Sequence, residues 1–229
     1  SRPLPNEKIS SDDAFVFGLS LSIFSVMFLG LVSNWLAAFL LALTIFFYLV
    51  IYSMFLKKAT AQNIVIGGAA GAMPPLIGWV ASTGTISNEP LLLFLFIFLW
   101  TPPHFWALAL ERKDEYADVG MPMLPVTHGE AFTRLHILLY TILLVVASVL
   151  PFVIAMSGPL YLAGALALGA GFLYWAIVLI RNNNDKAPME TFRYSILYLG
   201  ALFLVMLIDH YLFLGFSSTA PIEMTPLSA

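Results

Sequence analysis

All ten lysines and arginines of this 229-residue chain fall in alternate gaps between its long apolar runs. Seven such runs are visible, at positions 14–31, 36–56, 64–80, 91–110, 137–156, 160–180 and 195–214. Arg2 and Lys8 precede the first run, and Lys57 and Lys58 follow the second. Arg112, Lys113 and Arg134 occupy the gap after the fourth, and Arg181, Lys186 and Arg193 the gap after the sixth. The gaps at 33–35, 81–90 and 157–159 and the tail from Gly215 hold none. Runs of roughly 17–25 apolar residues match the hydrocarbon thickness of a bilayer. Backbone polar groups in lipid must be satisfied within the spanning structure, and runs this long and continuous satisfy them as helices. Short loops rich in Lys and Arg stay on the cytoplasmic side. The expectation is an all-α membrane protein of seven transmembrane helices, with the N-terminus inside and the C-terminus outside.

Composition agrees: 60% hydrophobic residues, 10% charged residues and a mean hydropathy of +0.91 exclude an ordinary soluble domain. The net charge of −3 matters less than its distribution. Ten of the thirteen acids (Glu7, Asp12, Asp13, Glu111, Asp114, Glu115, Asp118, Glu130, Asp185, Glu190) share the basic side. The other side holds Glu89 and Glu223, with Asp209 near the outer end of the last run. One face is therefore equipped for ionic chemistry and the other is nearly bare. No basic excess suggests nucleic acid as a partner. The absence of cysteine excludes disulfides and thiolate metal sites. No linker or low-complexity block divides the chain, so residues 1–229 read as a single intramembrane domain.

Two runs depart from a plain bundle. The third carries Gly67, Gly68, Gly71 and Gly78 with Pro74 and Pro75. Small residues let helices approach closely in lipid, so this segment serves tight packing or lines a cavity, with a kink expected at the proline pair. The fourth breaks at Thr101-Pro102-Pro103-His104, a second expected kink, and continues through Phe105 and Trp106. His104 is thus a polar residue at membrane depth, which makes it a candidate functional group. His128 and His136 lie at the inner surface and need no special role, whereas His210 follows Asp209 near the outer end of the last run. In the longest inner gap, Asp114 and Asp118 are four apart and share a helix face, with Glu115 beside Asp114. Three carboxylates on about one turn repel one another unless a cation lies between them. Hard oxygen ligands suit Mg²⁺, completed by waters and substrate phosphate oxygens. The alternative is a solvated helix end neutralised by Arg112 and Lys113.

The strings Thr60-Ala61-Gln62-Asn63-Ile64-Val65-Ile66-Gly67-Gly68-Ala69-Ala70-Gly71-Ala72-Met73-Pro74-Pro75 and Trp100-Thr101-Pro102-Pro103-His104-Phe105-Trp106-Ala107-Leu108-Ala109-Leu110 resemble a known family, as does Met121-Pro122-Met123-Leu124-Pro125-Val126. They are similar to the protoheme IX farnesyltransferases (heme O synthases) of the UbiA superfamily of intramembrane prenyltransferases. The resemblance runs through most of the chain and is most specific between Tyr48 and Glu130. It implies a nine-helix UbiA-type bundle around a central cavity, with two acidic motifs on the cytoplasmic side of a bacterial inner membrane. It implies transfer of farnesyl from farnesyl diphosphate to the vinyl group of heme B, forming heme O, with Mg²⁺ as the divalent cation and heme B as a substrate. Heme A synthase or terminal-oxidase assembly factors are the protein partners such an activity suggests.

The resemblance also distributes roles. Asp114, Glu115 and Asp118 stand at the second acidic motif as metal ligands; Glu115-Tyr116 is the closest match, and Asp118 stands where many members are neutral. Lys57 and Lys58 match the family's basic patch and, with Lys113, either hold diphosphate or simply anchor the inner side, and Asn63, Tyr116 and His104 join the catalytic set. His104, Trp106 and His210 are the candidate heme contacts. Two rival readings are a prenyltransferase with a quinone or other aromatic acceptor, and a non-enzymatic seven-span transporter. A transporter places its ionisable residues near the membrane centre, and here they crowd one surface. In the family an N-x-x-x-D-x-x-x-D motif lies shortly before a string like Arg2-Pro3-Leu4-Pro5, where this sequence starts. Seven of the nine spans are therefore expected here. Residues 1–229 alone are expected to be inactive, and activity should need an upstream extension of roughly 60–80 residues (two ~20-residue spans plus loops).

Overall fold

The computed structural model describes residues 9–181 and 185–217, with side chains placed to residue 212. Arg2, Lys8, Glu7, Glu223 and the Arg2-Pro3-Leu4-Pro5 string lie outside the described residues. Among the described residues every element is helical. The order is α1 (Ser11–Val32), α2 (Trp35–Phe46), a π-helical stretch (Phe47–Leu56), α3 (Lys57–Ala59), α4 (Asn63–Thr83) and α5 (Asn88–Glu111). Then come α6 (Lys113–Asp118), α7 (Leu124–Thr127), α8 (Glu130–Val153), α9 (Pro159–Arg181) and α10 (Ala187–Ser217). Seven of these segments are long and apolar enough to cross a membrane: α1, the continuous Trp35–Ala59 segment, α4, α5, α8, α9 and α10. The chain is an integral membrane protein, as the apolar runs require.

Helix ends follow local chemistry. Ser10 caps α1 by accepting from the Asp13 N–H, and Asn34 caps α2 by accepting from Ala37 N–H at 2.9 Å. The Asn34 amide also donates to the Val80 carbonyl at 2.7 Å, tying the α1–α2 turn to the end of α4. Helices α8 and α10 begin about two turns before the apolar runs do, at Glu130 and Ala187. Their first turns carry Glu130–Arg134 at 2.9 Å and Glu190–Arg193 at 2.9 Å, spaced to support a helix in water rather than in lipid. Neither proline pair ends its helix: α4 runs through Pro74 and Pro75, and α5 through Pro102 and Pro103. Neighbouring helices and hydroxyl side chains tolerate proline inside membrane helices, and the Thr101 hydroxyl donates to the Ile97 carbonyl at 2.6 Å beside the second pair.

Helix α5 is the hub, packed by α4 on one side, α8 on another and α10 on a third, while α1 lies against α2 at the edge. One core cluster joins Ala61, Leu110, Leu124, Leu179 and Ala187, the ends of five segments. These ends therefore converge at one end of the bundle. A second cluster around Phe96, Leu144, Tyr161, Phe172 and Tyr198 holds α5, α8, α9 and α10 together toward the other end.

Candidate active site

Two adjoining cavities occupy the angle between the π-helical stretch, α4, α5 and α6. The first, of about 330 Å³, is an apolar sleeve lined by Gly67, Gly68, Gly71, Ile97, Trp100 and Thr101. The second, of about 720 Å³, opens at the end where the basic loops meet and is lined by Lys57, Asn63, Arg112, Glu115, Tyr116 and Met121, among others. Tyr48, Tyr52, Ile64 and Phe105 line both, so the two form one chamber with a polar mouth and an apolar depth.

The local sequence builds this chamber in identifiable steps. In the π-helical stretch the Ser53 hydroxyl donates to the Tyr48 carbonyl five residues back, at 2.8 Å. The wide turn brings Tyr48 and Tyr52 into a stack with ring centroids 5.2 Å apart on the chamber side. Gly67 is required there: a Cβ on it would lie 2.5 Å from the Tyr52 ring. A Cβ on Gly68 would lie 2.9 Å from Thr101, which is what lets α4 approach α5. A Cβ on Gly71 would meet nothing within 4 Å. The glycines thus serve close packing at two positions and open space at the third.

Of the residues singled out from the sequence, Lys57, Asn63, Glu115 and Tyr116 come together around the mouth. Asn63 is 1% exposed; its Nδ2 donates to the Lys57 carbonyl at 3.1 Å and its Oδ1 is buried without a partner. It therefore holds the turn that carries Lys57 and keeps one acceptor free. Lys58 is exposed on the same short helix and lines neither cavity. Lys113 is turned away: its Nζ pairs with Glu130 at 3.1 Å, and Glu130 also holds Arg134. Arg112, which the sequence offered only as a partner for the acids, takes the place at the mouth, 3.9 Å from Glu115.

The carboxylates separate in the same way. Asp114 and Asp118 are exposed and line neither cavity, leaving Glu115 as the acid of the chamber. Among the described residues no group of three His, Asp or Glu side chains could hold a metal ion. Asp114 and Asp118, four apart on the six-residue α6, share a face outside the chamber, and Glu115 lies on the face that meets it. The donors that are present fit a different arrangement. One carboxylate and two cationic side chains suit a phosphate group with a divalent cation shared between that phosphate and Glu115.

The histidines and Trp106 lie elsewhere. His104 stacks between Trp100 (centroids 4.1 Å) and Phe192 (4.6 Å). The Ser195 hydroxyl donates to the Phe192 carbonyl at 2.6 Å, so it accepts from His104 Nδ1–H at 2.7 Å. His104 is a joint between α5 and α10 and lines neither cavity. Trp106 is fully buried on the opposite side of α5, edge-on to His136 and Tyr140 of α8. Its neighbour Phe105 is the aromatic that faces the chamber. His210 is exposed at the far end of α10, edge-on to Tyr211. Asp209 beside it is 3% exposed and accepts from the N–H groups of Gly158 and Tyr161, capping α9. Phe105, Arg112 and the tyrosine pair are the site residues that spacing did not single out.

Residues 1–215 match the UbiA prenyltransferase family. The chain is 57% identical over 215 residues to the protoheme IX farnesyltransferase of Stutzerimonas stutzeri, covering 94% of this chain and 72% of that protein. It is 56% identical to protoheme IX farnesyltransferase 1 of Pseudomonas putida F1, covering 93% and 72%. The corresponding protein of Teredinibacter turnerae is 55% identical, with 93% and 68% covered. A solved structure concerning digeranylgeranylglyceryl phosphate synthase in membranes superimposes with a TM-score of 0.77 at 22% identity, over 91% of this chain and 73% of that one. At that identity the likeness shows the fold alone. The chain belongs to the UbiA prenyltransferase family.

Proposed function

We propose that this member of the UbiA prenyltransferase family transfers a farnesyl group from farnesyl diphosphate to a vinyl group of protoheme IX, forming heme O. One observation carries the reading: a single chamber runs from a mouth bearing Lys57, Arg112, Glu115 and Tyr116 to an apolar sleeve floored by Gly67, Gly68 and Gly71. That is the polarity profile of a prenyl diphosphate, and relatives 55–57% identical carry the heme-farnesylating name.

Breaking the allylic C–O bond sends its electron pair to the diphosphate and leaves a cationic carbon. Lys57 and Arg112 offset the leaving charge at the mouth, where fixed charges in a partly dry site act most strongly. Asn63 holds the turn that carries Lys57. A Mg²⁺ held by Glu115 and diphosphate oxygens would neutralise further charge on the leaving group. Tyr48, Tyr52 and Phe105 wall the allylic cation with aromatic faces, which stabilise positive charge and exclude water. Attack by the vinyl carbon forms the new C–C bond and moves the cation next to the macrocycle, where a water molecule adds and releases a proton. The charge pattern of the loops supports placing this mouth on the cytoplasmic side of a bacterial inner membrane.

The test is expression of the gene in a bacterium lacking its own heme O synthase, followed by mass analysis of extracted hemes. Heme O is expected, lost on chelation of divalent cations in isolated membranes and regained with Mg²⁺. Unaltered heme B together with a prenylated quinone precursor would replace this acceptor with another.

A further inference from the structure

We propose that Met121 and Met123 form the surface on which the acceptor porphyrin lies, an assignment that rests on the function proposed above. The lining of the mouth is of two chemical kinds: Lys57, Asn63, Arg112, Glu115 and Tyr116 make a polar wall, and Phe105, Val119, Met121 and Met123 are among its apolar members. At about 720 Å³ the mouth is roughly twice the 330 Å³ sleeve, far more than a diphosphate fills. Cavities of ~300–1,000 Å³ accommodate drug-sized ligands. The polar wall holds the leaving group, so the second substrate has the thioether wall beside it.

That wall is built to hold its shape. Gly120, at φ 61°, turns the chain, and Met121 N–H donates to the Tyr116 carbonyl at 2.9 Å. Met123 N–H donates to the Met121 carbonyl at 2.7 Å, closing a tight turn around Pro122. The Met123 carbonyl then accepts from Val126 and Thr127 at 2.9 and 3.0 Å, which anchors the strip on α7. Met123 is 4% exposed, whereas Val119 at the rim is 70% exposed. A flat apolar macrocycle therefore finds polarizable sulfur against its face, with water at the edge for its propionates. The strip lines the mouth together with Phe105, which also lines the sleeve, so a vinyl group on the inner edge meets the allylic carbon. No histidine lines the mouth, and the methionines are its polarizable sulfur groups beside the rings of Tyr48, Tyr52 and Phe105.

The experiment compares wild type with Met121→Ala/Met123→Ala and with Met121→Gln alone, in nanodiscs. Protoheme IX binding is read by absorbance titration and farnesyl diphosphate binding by calorimetry. Met121→Gln keeps the side-chain length and leaves buried Met123 intact, so it carries the test if the double variant does not fold. Both variants should weaken protoheme binding by roughly tenfold or more, the scale for losing a packed contact at an interface centre, while farnesyl diphosphate binding stays within about threefold. Unchanged protoheme affinity in Met121→Gln, or equal loss for both ligands, would overturn the assignment. Failure of wild type to bind protoheme at all would instead strike the function proposed above.

Discussion

Gly71 offers the sharpest test of where the prenyl chain lies. It lines the apolar sleeve, and a Cβ built there meets nothing within 4 Å, so a leucine enters open space instead of colliding with protein. A leucine side chain brings four carbons, close to one five-carbon isoprene unit. If the farnesyl tail fills the sleeve, Gly71→Leu displaces about one unit from it. Each buried methylene is worth about 0.8 kcal/mol, so about four cost about 3 kcal/mol, or up to roughly 200-fold in kcat/KM for farnesyl diphosphate. Geranyl diphosphate, one unit shorter, stops before the obstruction and should change by less than about threefold by the same counting. The assay is kcat/KM for each diphosphate with protoheme as acceptor, and the quantity read is their ratio. A ratio that stays the same, whether both values fall together or neither moves, would place the tail outside this sleeve. Gly67→Ala supplies the contrast: its Cβ lies 2.5 Å from the Tyr52 ring, so it should disturb the tyrosine stack and lower activity with both diphosphates alike.

Glu115→Gln should reduce farnesyl transfer by about 10²-fold, the scale for removing a key electrostatic group, while Asp114→Asn and Asp118→Asn stay within about threefold of wild type because neither faces the chamber. Comparable losses at all three positions in a steady-state assay would restore the shared carboxylate cage. His104→Ala should lower stability by roughly 2–4 kcal/mol, as for a packed aromatic that also leaves a hydrogen-bond partner behind. Its KM for protoheme should be unaltered, and a raised KM without a change in thermal unfolding would mark His104 as a heme contact. The chain has no cysteine, so Thr85→Cys and Ala117→Cys can be labelled one at a time in sealed vesicles. Labelling from opposite faces is expected, and labelling from one face would break the alternation of loops.

The span count and the gathering of ionic residues at one end of the bundle were legible in the sequence, because both depend on one-dimensional properties. An apolar run either is or is not long enough to cross lipid, and a charge is confined to the gap where it stands. Glu115, Tyr116, Lys57 and Asn63 could be named on the resemblance, since motifs survive as strings. Which way each helix is turned could not be read. A helix that is apolar all round carries no stripe to mark its inward face, so nothing in Phe105-Trp106 says that Phe105 meets the chamber and Trp106 the α8 side. Arg112 and Lys113 are equivalent as charges, yet Arg112, at the non-helical break between α5 and α6, lines the mouth, while Lys113, the first residue of α6, reaches Glu130. Within α6, one residue of rotation, about 100°, separates Glu115 from Asp114. His104 reads as functional because it is polar at membrane depth. Its aromatic sandwich and its Ser195 partner come from α5 and α10, 91 positions apart in the chain, and only their packing brings them together.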